Sequence, residues 1–254
     1  GHRWTDALGR AAVDVTGDDA CDFLADIARA AARAGVDEVM LDELEVPPAA
    51  GGAPGRVLAS SRHDRPAHAA VTACVRRVAA TVRRAHAILG VAVPGRLCTD
   101  VGSAGLNGQR WEDLALAADR LSPEIYPHSV PSSAGGRMTA QPYQAVSTVV
   151  AMCYTRNLRL IKALAGRPVR VARIEPWIQA YSSRGVSYGP RALAEQLRGL
   201  REHGVGNALL WNGESDYDRF TAALHGPAPT RVVAYNPTAA QWARANRAPM
   251  VVGK

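Results

Sequence analysis

Gly35-Val36-Asp37-Glu38-Val39-Met40-Leu41-Asp42-Glu43-Leu44-Glu45-Val46-Pro47 is the stretch on which the fold turns. A glycine ends what precedes it, an apolar run with β-branched residues follows, and acids gather at its close. That order fits a short buried strand with a polar tip. Upstream, Phe23, Ile27, Ala31 and Ala34 recur at three- and four-residue spacing, which predicts a helix leading to Gly35 and then a strand over Val36–Asp42.

The same unit recurs downstream. Strands are predicted at Gly95–Asp100, Arg120–Tyr126, Val169–Glu175 and Asn207–Trp211, each bounded by Gly, Pro or Asp. Asp64 and Pro66 offer a helix start, and Val71, Val75, Val78, Val82, Ala85 and Leu89 carry one apolar stripe to a stop at Gly90. Trp111–Ala118 is a short helix. Tyr143, Val146, Val150, Cys153, Ile161 and Leu164 mark another ending at Gly166, and Leu193, Leu197 and Leu200 one more ending at Gly204. Strands alternating with helices imply parallel pairing through right-handed crossovers. A barrel and an open doubly wound sheet both satisfy this pattern. No Gly-x-Gly-x-x-Gly follows a strand and no Walker motif is present, which counts against nucleotide binding. Pro47–Arg56 and Pro131–Arg137 read as loops.

Composition bounds the classes. At 254 residues the chain matches the roughly 250 of a typical barrel. Hydrophobic content of 47% beside 21% charged residues excludes a disordered or fibrous chain. No apolar run approaches the roughly 20 residues that span a bilayer, so a soluble protein with no membrane partner is expected. The net charge of +7 admits a nucleic-acid partner. However, the cations are nearly all Arg, with Lys162 and Lys254 the lysines, and they are dispersed in pairs such as Arg76-Arg77 and Arg83-Arg84 on outer helix faces. Without a dense basic tract, no nucleic-acid partner is expected. Cys21, Cys74, Cys98 and Cys153 are far apart, with neither C-x-x-C nor zinc spacing; three of them fall on apolar helix faces or a strand and read as small core residues, and the four leave the compartment open. No metal site and no cofactor are expected.

In parallel α/β folds, chemistry gathers at the C-terminal ends of the strands. Four of the five predicted strands deliver an acid there: Asp42, Asp100, Glu124 and Glu175. Gathered like charges cost free energy unless they bind something or share protons. Aromatic and amide residues accompany them at Tyr126, Trp177, Gln179, Trp211 and Asn212, with His128 near one tip and Glu43 beside Asp42. Rings stack on the C–H faces of sugars while amides and carboxylates take the hydroxyls. Paired carboxylates are also the machinery of glycoside hydrolysis.

At these residues the chain resembles a mostly bacterial family of glycoside-hydrolase-like (β/α)8 barrels (DUF4015-like). The matching stretches are Trp4-Thr5-Asp6, Gly35 to Asp42, Leu121-Ser122-Pro123-Glu124-Ile125-Tyr126-Pro127, Pro176-Trp177-Ile178-Gln179 and Leu209-Leu210-Trp211-Asn212. The resemblance implies a TIM-type (β/α) barrel that is partial, made of the last five strand–helix units plus a C-terminal tail. Residues 1–225 would be the barrel domain and 226–254 the tail, with Arg231–Tyr235 and Pro249–Val252 as candidate short strands. It implies Asp42 as nucleophile or base with Glu124 or Glu175 as its catalytic partner. Glu43, Asp100, Tyr126, His128, Trp177, Gln179, Trp211 and Asn212 would bind the sugar. Relatives usually carry an aromatic residue at the position of Glu43, an apolar one at Glu124 and an acid at Ala180. The expected activity is hydrolysis of a poly- or oligosaccharide; a non-catalytic carbohydrate-binding barrel is the alternative, and a nucleic-acid binder the third. The family resemblance suggests secretion or a cell-envelope site, although this chain shows no signal peptide. An open barrel edge would favour self-association.

Overall fold

The structure, a computed structural model of the 254-residue chain, describes residues 4–5, 11–46, 66–100, 107–165, 167–183 and 185–224. The predicted features at Pro47–Arg56, Asp64, Gly166, Arg231–Tyr235 and Pro249–Val252, and the tail 226–254, lie outside the described residues. In chain order the elements are strands β1 (Trp4–Thr5) and β2 (Ala11–Ala12), helix α1 (Asp18–Arg33), β3 (Glu38–Leu41), α2 (Ala67–Arg83), β4 (Ile88–Pro94), α3 (Arg96–Thr99), α4 (Trp111–Ala117) and β5 (Arg120–Ile125). There follow α5 (Pro142–Ala163), β6 (Arg173–Ile174), β7 (Trp177–Gln179), α6 (Pro190–Glu202), β8 (Leu209–Trp211) and α7 (Thr221–Leu224). β1 and β2 form a small antiparallel pair. The main sheet runs β3-β4-β5-β7-β8, with β6 also paired to β5. The β3–β4, β5–β7 and β7–β8 pairings are parallel, as the alternation of strands and helices requires.

The chain divides into two compact units, Gly1–Val93 with Asp100–Ser122, and Pro94–Thr99 with Pro123–Lys254. In the first, α1 lies on α2, and a disulfide joins Cys21 to Cys74 with Cα atoms 5.4 Å apart. The inner face of α1 is Cys21, Ala25, Ala28 and Ala32. The predicted stripe through Phe23 and Ile27 points outward instead, these residues being 66% and 51% exposed. An Ala-rich helix offers two registers of three- and four-residue spacing, and the cystine with its small neighbours decides between them.

Four further expectations are corrected. The stripe on α2 holds from Val71 to Val82, but the helix ends at Arg83, and His86 takes a left-handed φ of 65°. Leu89 and Gly90 therefore belong to β4, and the strand predicted at Gly95–Asp100 is replaced by the short helix α3. Apart from His86, the run from Ala85 to Val93 is apolar, so periodicity alone could not separate helix from strand there. Val169–Glu175 contributes only the two residues of β6, while the strand that continues the sheet order is β7. Finally, all four cysteines are bonded in two disulfides rather than lying free in the core.

Polar contacts fix the strand starts in the first unit. Asp119, just before β5, is buried; it accepts hydrogen bonds from Arg83 Nε at 3.1 Å and from the Leu89 N–H at 2.9 Å. Arg120 donates to Glu38 Oε2 at 2.7 Å. Gly90 leaves room for this pair, since a Cβ there would lie 2.5 Å from Glu38 Oε1.

In the second unit, a disulfide joins Cys98 of α3 to Cys153 of α5, with Cα atoms 4.8 Å apart. Arg156 donates to the Leu97 carbonyl, and Asn157 Nδ2 to the Ala172 carbonyl at 3.1 Å. α5 and α6 approach closely at Gly199, where an added Cβ would meet the Tyr143 carbonyl at 3.0 Å. At the end of α6, His203 Nε2 shares a 2.8 Å hydrogen bond with Ser147 Oγ, and Tyr143 donates to Glu202. Burial lowers the pKa of His203 from its ordinary value, outweighing the nearby charge of Glu202.

Each cystine closes a separation of 53 or 55 residues, for which chain entropy gives about 4 kcal/mol. Cys98→Ser is expected to lower the urea midpoint accordingly, measured against the oxidised parent. His203 binds its proton less readily when folded, so stability should fall as pH drops through about 6.5 and level off below the folded value. His203→Gln should flatten that part of a pH series of urea titrations.

Candidate active site

Several of the candidate residues sit at or just past the C-terminal ends of strands, and each unit presents its own set. In the first, Asp42 directly follows β3 and is exposed, its Oδ1 accepting the Glu43 N–H at 2.8 Å. Glu43, also exposed, holds a left-handed φ of 49°, a conformation that a side-chain-bearing residue keeps only when its surroundings impose it. Those surroundings are visible. Asn107 Nδ2 donates to Glu45 Oε2 at 3.1 Å and to Gln109 Oε1 at 3.0 Å, Gln109 Nε2 donates to the Leu44 carbonyl at 3.0 Å, and the Val46 N–H donates to the Asn107 carbonyl at 2.8 Å. This amide network holds the loop immediately beyond Asp42 and Glu43. Asp100, predicted to close a strand, instead follows α3, six residues after β4 has ended at Pro94.

The second unit gathers more of the predicted set. Glu124 lies near the end of β5, half-buried, in register with Trp177 of β7. Gly95 sits against this tip, and an added Cβ would lie 2.5 Å from the Glu124 carbonyl oxygen. Just beyond β5, the rings of Tyr126 and His128 are stacked with centroids 6.1 Å apart. The ring of Tyr181 meets both edge-on, at 6.0 Å from Tyr126 and 5.7 Å from His128. Gln179, the buried last residue of β7, holds His128 Nδ1 at 3.0 Å through Oε1. Burial, and then the charge of Glu124, push the Tyr181 pKa up to about 12. Trp177, the first residue of β7, and Trp211, the last of β8, pack edge to face at 6.1 Å, Trp211 being 45% exposed.

Two predicted residues are placed deeper. Glu175, between β6 and β7, is buried. Asn212 is buried too, donating to the carbonyls of Ala180 and Asp216 at 2.8 and 2.7 Å and accepting the Glu214 N–H at 2.9 Å. Tyr181 was not among the predicted site residues. Its signal in the sequence is the two-residue spacing of Trp177, Gln179 and Tyr181, although β7 ends at Gln179 and the chain bends at Tyr181. A separate cleft of about 350 Å3 opens beside Gly17, Cys21, Cys74 and Arg77, where Arg77 is paired with Asp22; it holds none of the candidate residues. Among the described residues, no group of three or more His, Cys, Asp or Glu is arranged to hold a metal ion, and no helix is long and apolar enough to cross a membrane.

Parallel strands joined by helices, with function expected at the strand ends, are the arrangement of the (β/α) barrel class. The chain belongs to the family described as Putative glycosyl hydrolase domain (DUF4015), which it matches over residues 1–217. No curated protein sequence matches it. Its structure is similar to the glycoside hydrolase domain of PgaB (BpsB) from Bordetella bronchiseptica, at 15% identity and a TM-score of 0.55, covering 87% of this chain and 63% of that one. It is similar to a chitinase from Chromobacterium violaceum ATCC 12472 at 13% identity and a TM-score of 0.55, covering 87% and 76%. The chain thus spans under two thirds of the length of the Bordetella domain. The fold class is α/β, a partial (β/α) barrel of the TIM type, as the sequence implied.

Gly95→Ala tests how tightly the Glu124 tip is held. The new methyl group would press on backbone, which cannot swing aside as a side chain can, so a loss of roughly 1–3 kcal/mol is expected in thermal or urea unfolding.

Proposed function

We propose that this chain carries the site of a glycoside hydrolase that cleaves a poly- or oligosaccharide by paired-carboxylate chemistry. The observation that carries the reading is Glu124 at a strand tip beside the Tyr126–His128–Tyr181 ring cluster, in register with one of two paired tryptophans. Family membership supports the same class of chemistry. One carboxyl protonates the departing glycosidic oxygen while another attacks the anomeric carbon or activates water. Asp42 serves as nucleophile or base, and Glu124 as general acid; Glu175 is the second candidate for that role. Trp211, exposed at the end of β8, offers a face on which a pyranose can stack, with Trp177 as its support.

Asp42→Asn and Glu124→Gln should each lower the release of reducing sugar by at least about 100-fold, the range of lost acid–base catalysis. Full activity in either variant removes that residue from the mechanism. Trp211→Ala should raise KM with less effect on kcat. Oligosaccharide binding with no turnover by the parent chain would instead establish the non-catalytic carbohydrate-binding reading, which the burial of Glu175 favours.

The two disulfides also support maturation outside a reducing cytosol, in keeping with a secreted or cell-envelope location. Thiol alkylation of protein from its native source should then find all four cysteines blocked; free thiols would speak for the cytosol.

A further inference from the structure

The hydrogen bonds around Gln179 determine which nitrogen of His128 carries the proton, and with it the polarity of recognition at the β5 tip. Gln179 is fully buried and clamped by α6: its N–H donates to Gln196 Oε1 at 3.0 Å and its carbonyl accepts from Gln196 Nε2 at 2.8 Å. Its own side-chain Nε2 donates to the Tyr181 carbonyl at 2.8 Å. The opposite amide orientation would set two carbonyl oxygens against each other. Oε1 is therefore the atom that faces His128, and an oxygen without a proton can only accept. At 3.0 Å from it, Nδ1 must be the donor.

A neutral imidazole with its proton on Nδ1 has a free lone pair on Nε2. His128 is half-buried, and its two hydrogen-bond partners both meet Nδ1; Nε2 has none among the described residues. The Tyr181 hydroxyl stands 3.4 Å from Nδ1. Because that nitrogen already carries a proton, it cannot take the phenolic one. Burial and the charge of Glu124 keep Tyr181 protonated through the neutral range, so its O–H remains a donor. Stacking on Tyr126 restrains the imidazole plane.

We propose that His128 and Tyr181 form an acceptor–donor pair for a sugar: His128 Nε2 accepts from one hydroxyl, Tyr181 donates to a neighbouring sugar oxygen, and Gln179 is a positioning residue that acts through His128. The proposal rests on the glycosidase reading and gives that site a hydrogen-bond direction. It also moves Gln179 from sugar contact to the layer behind.

Imidazole 15N NMR of the intact chain, at mildly alkaline pH, reads the tautomer without any sugar. The expected result is protonated Nδ1 and bare Nε2 for His128, lost in Gln179→Leu; a protonated Nε2 in the parent overturns the proposal. Chitotetraose and cellotetraose then serve as probes. Whichever binds should shift the His128 Nε2 resonance. His128→Phe should raise its Kd or KM about tenfold, the worth of one hydrogen bond, with kcat less affected. His128→Gln, which can restore an acceptor, should recover part of the loss. A bound probe that leaves Nε2 unmoved overturns the hydroxyl contact. If Nε2 is bare and neither probe binds, the glycosidase reading fails and the sugar contact fails with it. Circular dichroism of each variant separates these results from misfolding.

Discussion

The buried carboxylate of Asp119 is the constraint around which the first unit is arranged. It sits one residue before β5, holds the Leu89 N–H at the start of β4, and draws in Arg83 from the last turn of α2. A buried charge is tolerated only when paired and hydrogen-bonded, so these three elements must meet at one point. Once they do, β4 and β5 start together, and alternation along them sends Leu89, Val91 and Leu121 into the core while Gly90 and Arg120 form the opposite row. Gly90 in that row is what admits the Glu38–Arg120 pair.

That junction is also where reading from sequence met its limit. The alternation of strands and helices, the helices through Tyr143 and Leu193, and the strand at Arg120 were all legible, because each shows a clear period and a Gly or Pro boundary. The segment from Ala85 to Val93 shows no period at all. What ends the helix there is a left-handed His86 and a charge pair closed over more than 30 residues of chain. Neither leaves a local trace. The outward turn of Phe23 has a similar origin, since the partner that set the register was Cys74, distant in sequence.

The candidate site was legible in residue type but not in depth. Acids and rings at strand tips were visible as a pattern, and Glu124, Tyr126, His128 and Trp211 lie at or just past the ends of the second unit's strands, whereas Trp177 opens β7. Asn212 and Gln179 have the same chemistry as sugar-binding amides, yet both spend their hydrogen bonds on backbone and side chains of the protein. A sequence shows that an amide is present; only packing shows which way it is already committed. Tyr181 was obscured for the opposite reason, because it lies two residues past the end of β7, where the chain bends.

The two cystines have a consequence for how the chain is made. Cysteines pair in order of synthesis, first with second and third with fourth, and the spans 21–74 and 98–153 neither overlap nor nest. Each bridge can therefore close as soon as its own segment has emerged, without waiting for the C-terminal strands, and each lies within one compact unit. Oxidation in such a chain can proceed vectorially, with little need for a shuffling step to undo wrong pairs.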